Sequence, residues 1–286
     1  MPVRLTTDVK HASVDSRLCE AVHVDFAEEL VVVRGGGDLA TGVVLRLVRA
    51  GFPVVVTELA EPLTVRRTVA FSAAVDEGVV TIEGVTGRLV ELGGAAALYR
   101  SGEVAVVVCP TLPALGAEVV IDARLAKRNL DTTMDDAAFV VALGPGFTVG
   151  VDCHAVIETN RGHRLGRVLW RGSAEPNTGT PGLVAGRAAE RVIRATVAGE
   201  VDWRVAIGDV VDTGDVMGSV GETVITAAFP GLVRGLIRPG PVAAGLKIGD
   251  VDARVERSMC HEVSDKALAI AGGVLEAILM WMRKPA

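Results

Sequence analysis

LVVVRGGGDLATGVVLRLVRAGFPVVVTE, Leu30 to Glu58, reads as strand, glycine turn, helix and second strand. Leu30 to Val33 is a short β-branched apolar run, the pattern of a strand buried on both faces. Arg34-Gly35-Gly36-Gly37-Asp38 breaks it. From Leu39 the period changes. Leu39, Val43 and Leu47 recur at helical spacing with Ala40, Val44 and Val48 beside them, one apolar stripe. Gly51 closes that helix, Pro53 prevents its continuation, and Val54 to Val56 predict the next strand.

Within the turn, Gly35, Gly37 and Ala40 satisfy G-x-G-x-x-[GA]. Glu58 ends the second strand, close to the ~20-residue distance at which an acid binds a ribose hydroxyl. Glycines allow a sharp turn and close approach of a phosphate, and the helix start supplies oriented N–H donors. Gly35, Gly36, Gly37, Asp38 and Glu58 are therefore candidate cofactor-binding residues. A second reading stands beside this one, a tight turn that needs glycine only for its geometry. Asp38 favours it, because a carboxylate at the helix start competes with a phosphate for the same donors.

The 286 residues suffice for two domains, or one large domain with an appendage. Half the chain is hydrophobic and only 3% aromatic, so small branched side chains are expected to fill the core. A formal net charge of −6 argues against nucleic acid as a partner. No apolar run approaches the ~20 residues of a membrane span, and MPVRLTTDVKHASVD lacks the apolar centre of a signal peptide. A cytoplasmic location is expected. Cys19, Cys109, Cys153 and Cys260 are scattered without a C-x-x-C pair, which supports neither a disulfide framework nor a zinc ribbon. No metal site is expected either, since adjacent Cys153 and His154 on a strand point to opposite faces. Neither G-x-S-x-G nor H-E-x-x-H occurs.

Further strands are predicted at Val104–Val108, Val119–Ile121, Phe139–Leu143 and Ala155–Ile157, with a hairpin over Val79–Val90. Ligands of parallel sheets sit at the carboxyl ends of the strands. The polar residues just past each strand are thus site candidates: Arg66 and Arg67; Asp122, Arg124, Lys127 and Asn129; Gly144, Gly146, Phe147, His154, Asn160 and Arg161. Their guanidinium groups suit an anion such as phosphate, pyrophosphate or carboxylate.

From residue 192 the chain changes to short β-like segments punctuated by glycine. Ala198–Gly214 parallels Pro230–Gly245, a turn–strand–turn–strand unit used twice. This resembles the biotinyl/lipoyl carrier fold, whose modified lysine sits on the hairpin between its halves. That hairpin here, Val220–Ala227, has no lysine, so covalent biotin or lipoyl is not expected. Lys247 lies outside that position and is a candidate anion ligand facing the first part. Ser264-Asp-Lys-Ala caps a final helix with Ile270, Val274, Ala277 and Trp281 in its stripe, and Gly272-Gly273 in mid-helix signals close backbone packing, a break or a ligand.

The blocks RGGGDLATG, RRTVAFSAAV, DARLAKRN, LGPGFTVGVDCHAVIETNRGHRLGRV, EPNTG, GLKIGDVDAR and SDKALAIAGGVLEAIL, in this order, resemble the YqeB-type accessory proteins of the selenium-dependent molybdenum hydroxylase system. The glycine-rich start is also similar to the Rossmann part of XdhC-type maturation factors. The resemblance implies maturation of molybdenum hydroxylases, with molybdopterin cofactor or a dinucleotide such as NAD at the strand ends. It implies a hydroxylase or other maturation proteins as partners and leaves a homo-oligomer open. An NAD(P)-dependent oxidoreductase and a non-catalytic scaffold are the alternatives. A sulfur or selenium carrier would need a low-pKa thiol, for which Cys153 is best placed and Cys109 next. The expected fold is α/β, with four parts. Residues 1–29 form an arm and 30–190 a Rossmann-like, mostly parallel sheet. Residues 191–255 form a lipoyl/biotinyl-like barrel-sandwich module, and 256–286 a C-terminal helix packed back on the core.

Overall fold

Strand β1 (Val31–Arg34) is buried along its whole length and lies at the middle of the largest sheet. The computed structural model describes Phe26, residues 28–177, Gly179, Gly186 and residues 189–283. After β1 come helix α1 (Asp38–Arg49) and β2 (Val54–Glu58). A one-turn helix α2 (Ala74–Glu77) leads to the hairpin β3 (Val79–Ile82) and β4 (Val85–Leu89). Helix α3 (Ala95–Tyr99) then precedes β5 (Val104–Val108). Four strands complete the sheet: β6 (Val119–Asp122), β7 (Phe139–Leu143), β8 (Ala155–Ile157) and β9 (Val168–Leu169). Its order is β3-β4-β5-β2-β1-β6-β7-β8-β9, parallel from β4 to β8 with antiparallel edges.

The local chemistry follows the sequence. Leu39, Val43 and Leu47 of α1 are buried on the sheet, Asp38 sits at the positive end of the helix, and Arg46 and Arg49 at the negative end. Gly51 adopts φ +95°, which ends the helix cheaply. The β3–β4 turn is Glu83-Gly84, both at positive φ, the twist-compatible two-residue connection. One face of the sheet packs on α1 and on the last helix, α4 (Asp265–Met282), through Val33, Val56, Ile121 and Leu143. The other face, with Val32, Val55, Val120 and Val140, is covered by α3 and by loop residues such as Leu112, Leu115 and Phe147.

Two smaller antiparallel sheets follow, made of β10 (Val192–Arg194), β11 (Gly199–Trp203), β12 (Val210–Val211), β13 (Val216–Val220), β14 (Thr223–Thr226), β15 (Gly231–Leu236), β16 (Gly240–Val242) and β17 (Lys247–Asp252). Their orders are β10-β17-β15-β12 and β14-β13-β11-β16, with Met217, Phe229, Leu232, Leu236 and Ile248 fully buried or nearly so. The chain then returns to the large sheet as α4 (Asp265–Met282), capped by the Ser264 hydroxyl, which accepts from the Ala267 N–H at 3.1 Å.

The expected fold class is corrected by this architecture. A doubly wound dinucleotide fold places a helix in each crossover. Here the connections from β6 to β7 and from β7 to β8 contain no α-helix, only a 3-10 turn at Met134–Asp136, and loops cover the second face. The expected carrier module is not an appendage either. The segment before α2 ties it to the sheet: Arg67 Nε donates to the Leu236 carbonyl at 2.8 Å and Gly235 packs against the Val65 backbone. The proposed arm falls almost entirely outside the described residues. Phe26 stacks on Phe52 with ring centroids 4.2 Å apart.

Candidate functional site

The glycine turn is filled by the protein itself. Gly35 (φ +96°) lies against the backbone of Ala123 and Arg124, where a Cβ would come within 3.2 Å. A Cβ on Gly36 would meet the Ser72 amide at 2.8 Å, and that amide donates to the Gly36 carbonyl at 2.9 Å. Glu58, the expected ribose ligand, turns inward. It accepts from the Gly36 N–H at 2.7 Å and from the Leu59 N–H at 2.8 Å. Burial raises its pKa, against the pull of those two N–H groups. Asp38 accepts from the Leu39 N–H and lies 3.6 Å from Arg66. Only Gly37, the N-cap of α1, faces open space. The Gly36 and Leu39 N–H groups and the Glu58 carboxylate, on which a pyrophosphate and ribose would draw, are already bonded within the protein.

The crevice between the carboxyl ends of β1 and β6 is likewise occupied. Asp122 accepts from Arg124 Nε and from Thr132 Oγ1 at 2.7 Å, and Arg34 donates to Thr132 Oγ1 and Asp131 Oδ2, each at 3.0 Å. Asn129 bridges the Thr132 carbonyl and Asp152, both at 2.8 Å. Asp122, Arg124 and Asn129 thus hold loops together. Arg34 was absent from the sequence candidates, yet it is the largest fully buried side chain of the network.

An open cleft of ≈ 360 Å³ lies beside that crevice, towards β7 and β8. Leu39 of α1, Leu125, Leu143 and Pro145 form its apolar wall. Five basic side chains reach it, Lys127, Arg161, Arg194, Lys247 and Lys266, against the single carboxylate of Glu175. Three of the five are already tied. Arg161 makes a two-pronged pair with Asp265 at 2.7 and 2.9 Å, Lys247 lies 3.5 Å from Asp250, and Arg194 donates to the Gly245 carbonyl at 3.0 Å. No carboxylate among the described residues pairs with Lys127, Arg194 or Lys266. Burial lowers the pKa of Lys266, with Arg161 adding to it, against Asp38, Glu158 and Asp265. Thr159 and Asn160 supply polar groups, the Asn160 amide donating to Glu175 at 2.7 Å. Leu125 and Lys127 stand at φ +55° and +62°, a conformation that costs a branched or long side chain about 1 kcal/mol or more. Strain of this kind, held by surrounding structure, clusters at ligand sites.

Of the sequence candidates, the cleft gathers Lys127, Asn160, Arg161 and Lys247. Gly144 (φ +78°) and Gly146 (φ +105°) shape its rim by packing on Thr159 and Arg128. The others lie elsewhere. Arg66 is buried and donates to the carbonyls of Met259 and Glu262, Arg67 binds Leu236, and Phe147 belongs to the core. His154 accepts from the Val140 N–H through Nδ1 and lines a separate hollow with Phe139, Trp170 and Trp281. Cys153 is fully buried, and burial pushes its thiol up to about 12, the opposite of a carrier thiolate. Lys266, Arg194, Thr159 and Glu175 were missed. Lys266 stood in the quoted helix cap Ser264-Asp-Lys, and a cation at a helix start was the available anomaly.

Fold and cleft together define an α/β protein with a basic cleft between its main sheet and a β-rich part. It is homologous to the uncharacterized protein YqeB of Escherichia coli (strain K12), with 51% identity over 261 residues, 90% of this chain and 48% of the relative. The chain thus spans about half the length of that relative. No family model matches. Among solved structures, an aspartoacylase family protein of Mesorhizobium loti is 14% identical, covers 78% of this chain and 84% of its own, and aligns at a TM-score of 0.27. A succinylglutamate desuccinylase/aspartoacylase of Rhodobacter sphaeroides is also 14% identical, covering 79% and 86%, at 0.24. The ectoine utilization protein EutE (DoeB) of Ruegeria pomeroyi is 13% identical, covering 78% and 57%, at 0.22. These scores are too low to carry an activity to this chain.

The functional expectation is corrected with the fold. The glycine turn holds the protein's own groups, the Glu58 carboxylate on the Gly36 N–H and the Ser72 amide on the Gly36 carbonyl, where pyrophosphate and ribose would sit. Molybdenum-hydroxylase maturation through a cofactor at that turn and NAD(P)-dependent oxidoreduction are therefore set aside. No group of His, Cys, Asp and Glu able to hold a metal occurs among the described residues, and none of their helices is long and apolar enough to cross a membrane.

Proposed function

We propose that this protein binds a small carboxylate- or phosphate-bearing metabolite in the cleft between β7, β8, the starts of α1 and α4, and β17. The observation that carries this reading is local charge against global charge. A chain of formal net charge −6 concentrates Lys127, Arg194 and Lys266, none paired to a described carboxylate, around one partly apolar hollow. Cations gathered against apolar walls raise the local anion concentration and strengthen each contact they make. Leu39, Leu125 and Leu143 would cover the carbon skeleton, while Thr159 and Asn160 fix its orientation. The starts of two helices, α1 and α4, meet near it, since Gly42 of α1 packs on Ala267 of α4.

Thermal shift and titration calorimetry with citrate, 2-oxoglutarate and inorganic phosphate test the reading. Saturating ligand at about 100 times Kd stabilises by about 2.7 kcal/mol. The expected result is a shift that Lys127→Ala with Arg194→Ala removes and that added salt weakens. Equal response of the wild type and the double variant to all three anions would overturn the assignment. The phosphate arm separates phosphate recognition from carboxylate recognition.

A further inference from the structure

We propose that Lys266 acts as an amine nucleophile, condensing with the carbonyl of a small 2-oxo acid held in this cleft. The inference rests on the anion-site reading above and names its substrate class. Four observations lead to it. Lys266 lines the cleft beside Leu39 and Leu143, and has neither an ion pair nor a hydrogen bond to a described residue, while Arg161, Arg194 and Lys247 are each held by a partner. It sits in the first turn of the long helix α4, whose positive end disfavours an ammonium. Burial removes water and Arg161, at the same cleft, adds like charge, which together lower the pKa of Lys266 from its ordinary value against the opposing pull of Asp38, Glu158 and Asp265. A lysine desolvated beside another cation is the ordinary way to obtain a neutral amine at neutral pH. Finally, Lys127 and Arg194 line the same hollow and are unpaired by carboxylates, so the acid group of the substrate has cations to meet while its carbonyl faces Nζ.

The chemistry balances without any further reactant. The Nζ lone pair attacks the carbonyl carbon, and the C=O π pair moves to oxygen, which takes a proton. Nitrogen passes one proton to the hydroxyl, which leaves as water as the nitrogen lone pair forms the C=N bond; the product is the protonated imine, and the proton taken by oxygen is the net uptake from solvent. Nothing is oxidised or reduced. The resulting cationic imine draws electrons from the neighbouring carbon, which prepares decarboxylation, aldol cleavage or proton exchange there.

The test is reductive trapping on the full chain, with pyruvate and sodium borohydride, read by intact mass and peptide mapping. The expected result is one reduced pyruvate adduct per chain, located at Lys266, lost in Lys266→Arg and retained in Arg88→Gln, which lies outside the cleft. Phosphate that occupies the cleft should suppress it. Adduct spread over surface lysines and unchanged in Lys266→Arg overturns the proposal. If no adduct forms while citrate or phosphate still stabilises the wild type over Lys127→Ala with Arg194→Ala, the imine is overturned and the anion site stands. If no anion stabilises the protein and no adduct forms, both fall.

Discussion

Asp265 shows how one side chain can serve the fold while restraining the site. Its two oxygens hold Arg161, and that contact keeps its carboxyl well below the ordinary carboxylate range. A depressed acid stabilises the fold above its unfolded pKa of about 3.9, and the contribution is lost as pH falls below that value towards the folded pKa. Since Asp265 is largely exposed, the pair is worth at most about 1 kcal/mol. Asp265→Asn is therefore expected to lose up to ~1 kcal/mol at pH 7, with the deficit shrinking as pH falls below about 4, as chemical denaturation across pH would show. The same variant releases Arg161 towards the cleft, so citrate should bind it more tightly. Weaker citrate binding by Asp265→Asn would remove Arg161 from the site.

The cysteines make a second residue-scale case. Cys153 and Cys260 are fully buried and burial raises both thiols, whereas Cys109 is part-exposed. Thiolate is the reactive form, so a disulfide reagent at pH 8 should modify Cys109 well before Cys153 and Cys260, which react only on unfolding. Fast labelling of Cys153 in the folded protein would contradict its placement. Cys153 was the first choice for a carrier thiol, and Asp152 and His154 flank it in the sequence. The structure turns His154 to the Val140 amide and Asp152 to Asn129, so proximity in sequence did not become proximity in function.

At the scale of elements, the doublet Gly272-Gly273 separates into two jobs. A Cβ on Gly273 would strike the carbonyl of Gly166, so α4 crosses that turn backbone to backbone. Gly272 is exposed and its Cβ would meet nothing within 4 Å. Gly272→Ala should stabilise by about 0.5–1 kcal/mol through helix propensity and a less flexible unfolded chain. Gly273→Ala should cost about 1–3 kcal/mol by overpacking. Thermal melts of the two variants should move in opposite directions, and a gain from Gly273→Ala would refute the close crossing.

Element identity was legible where period and punctuation were strong. The run Leu30 to Glu58 resolves into β1, α1 and β2 within a residue or two, because β-branched runs, a helical stripe and glycine stops coincide there. What surrounds the elements was not legible. Gly35 and Gly37 have the same spacing whether a phosphate or Ser72 fills the turn, since both need bare backbone. The crossovers after β6 and β7 lack periodic stripes, and reading helices into a parallel sheet's connections supplied a fold class that the loops do not support. The cleft required Lys127, Arg161, Lys247 and Lys266 from widely separated segments, and only packing could bring them together.

The molecule as a whole is held by the strap of residues 64–72, which runs between the main sheet and the β-rich part. Arg66 donates to Met259 and Glu262, Arg67 to Leu236, and Thr68 to Cys260, while Cys260 lies 3.7 Å from the Val233 carbonyl. Ser72 at its end closes the glycine turn of β1. Loss of either part would leave buried carbonyls and guanidinium groups without partners, at about 1–3 kcal/mol for each. The two parts should therefore unfold as one unit. Trp203, bonded to the Ile237 carbonyl, reports the β-rich part, and Trp170 and Trp281, on Phe139, report the main sheet. Urea unfolding followed through Trp203 alone, and separately through Trp170 and Trp281, should give coincident midpoints. Gly235→Val places a side chain where the Val65 carbonyl stands, costs about 1–3 kcal/mol, and should pull the two midpoints apart by releasing the strap. Separate midpoints already in the wild type would mean that the strap does not couple the parts. The cleft, whose walls come from both, would then lose β10 and β17 before the sheet melts.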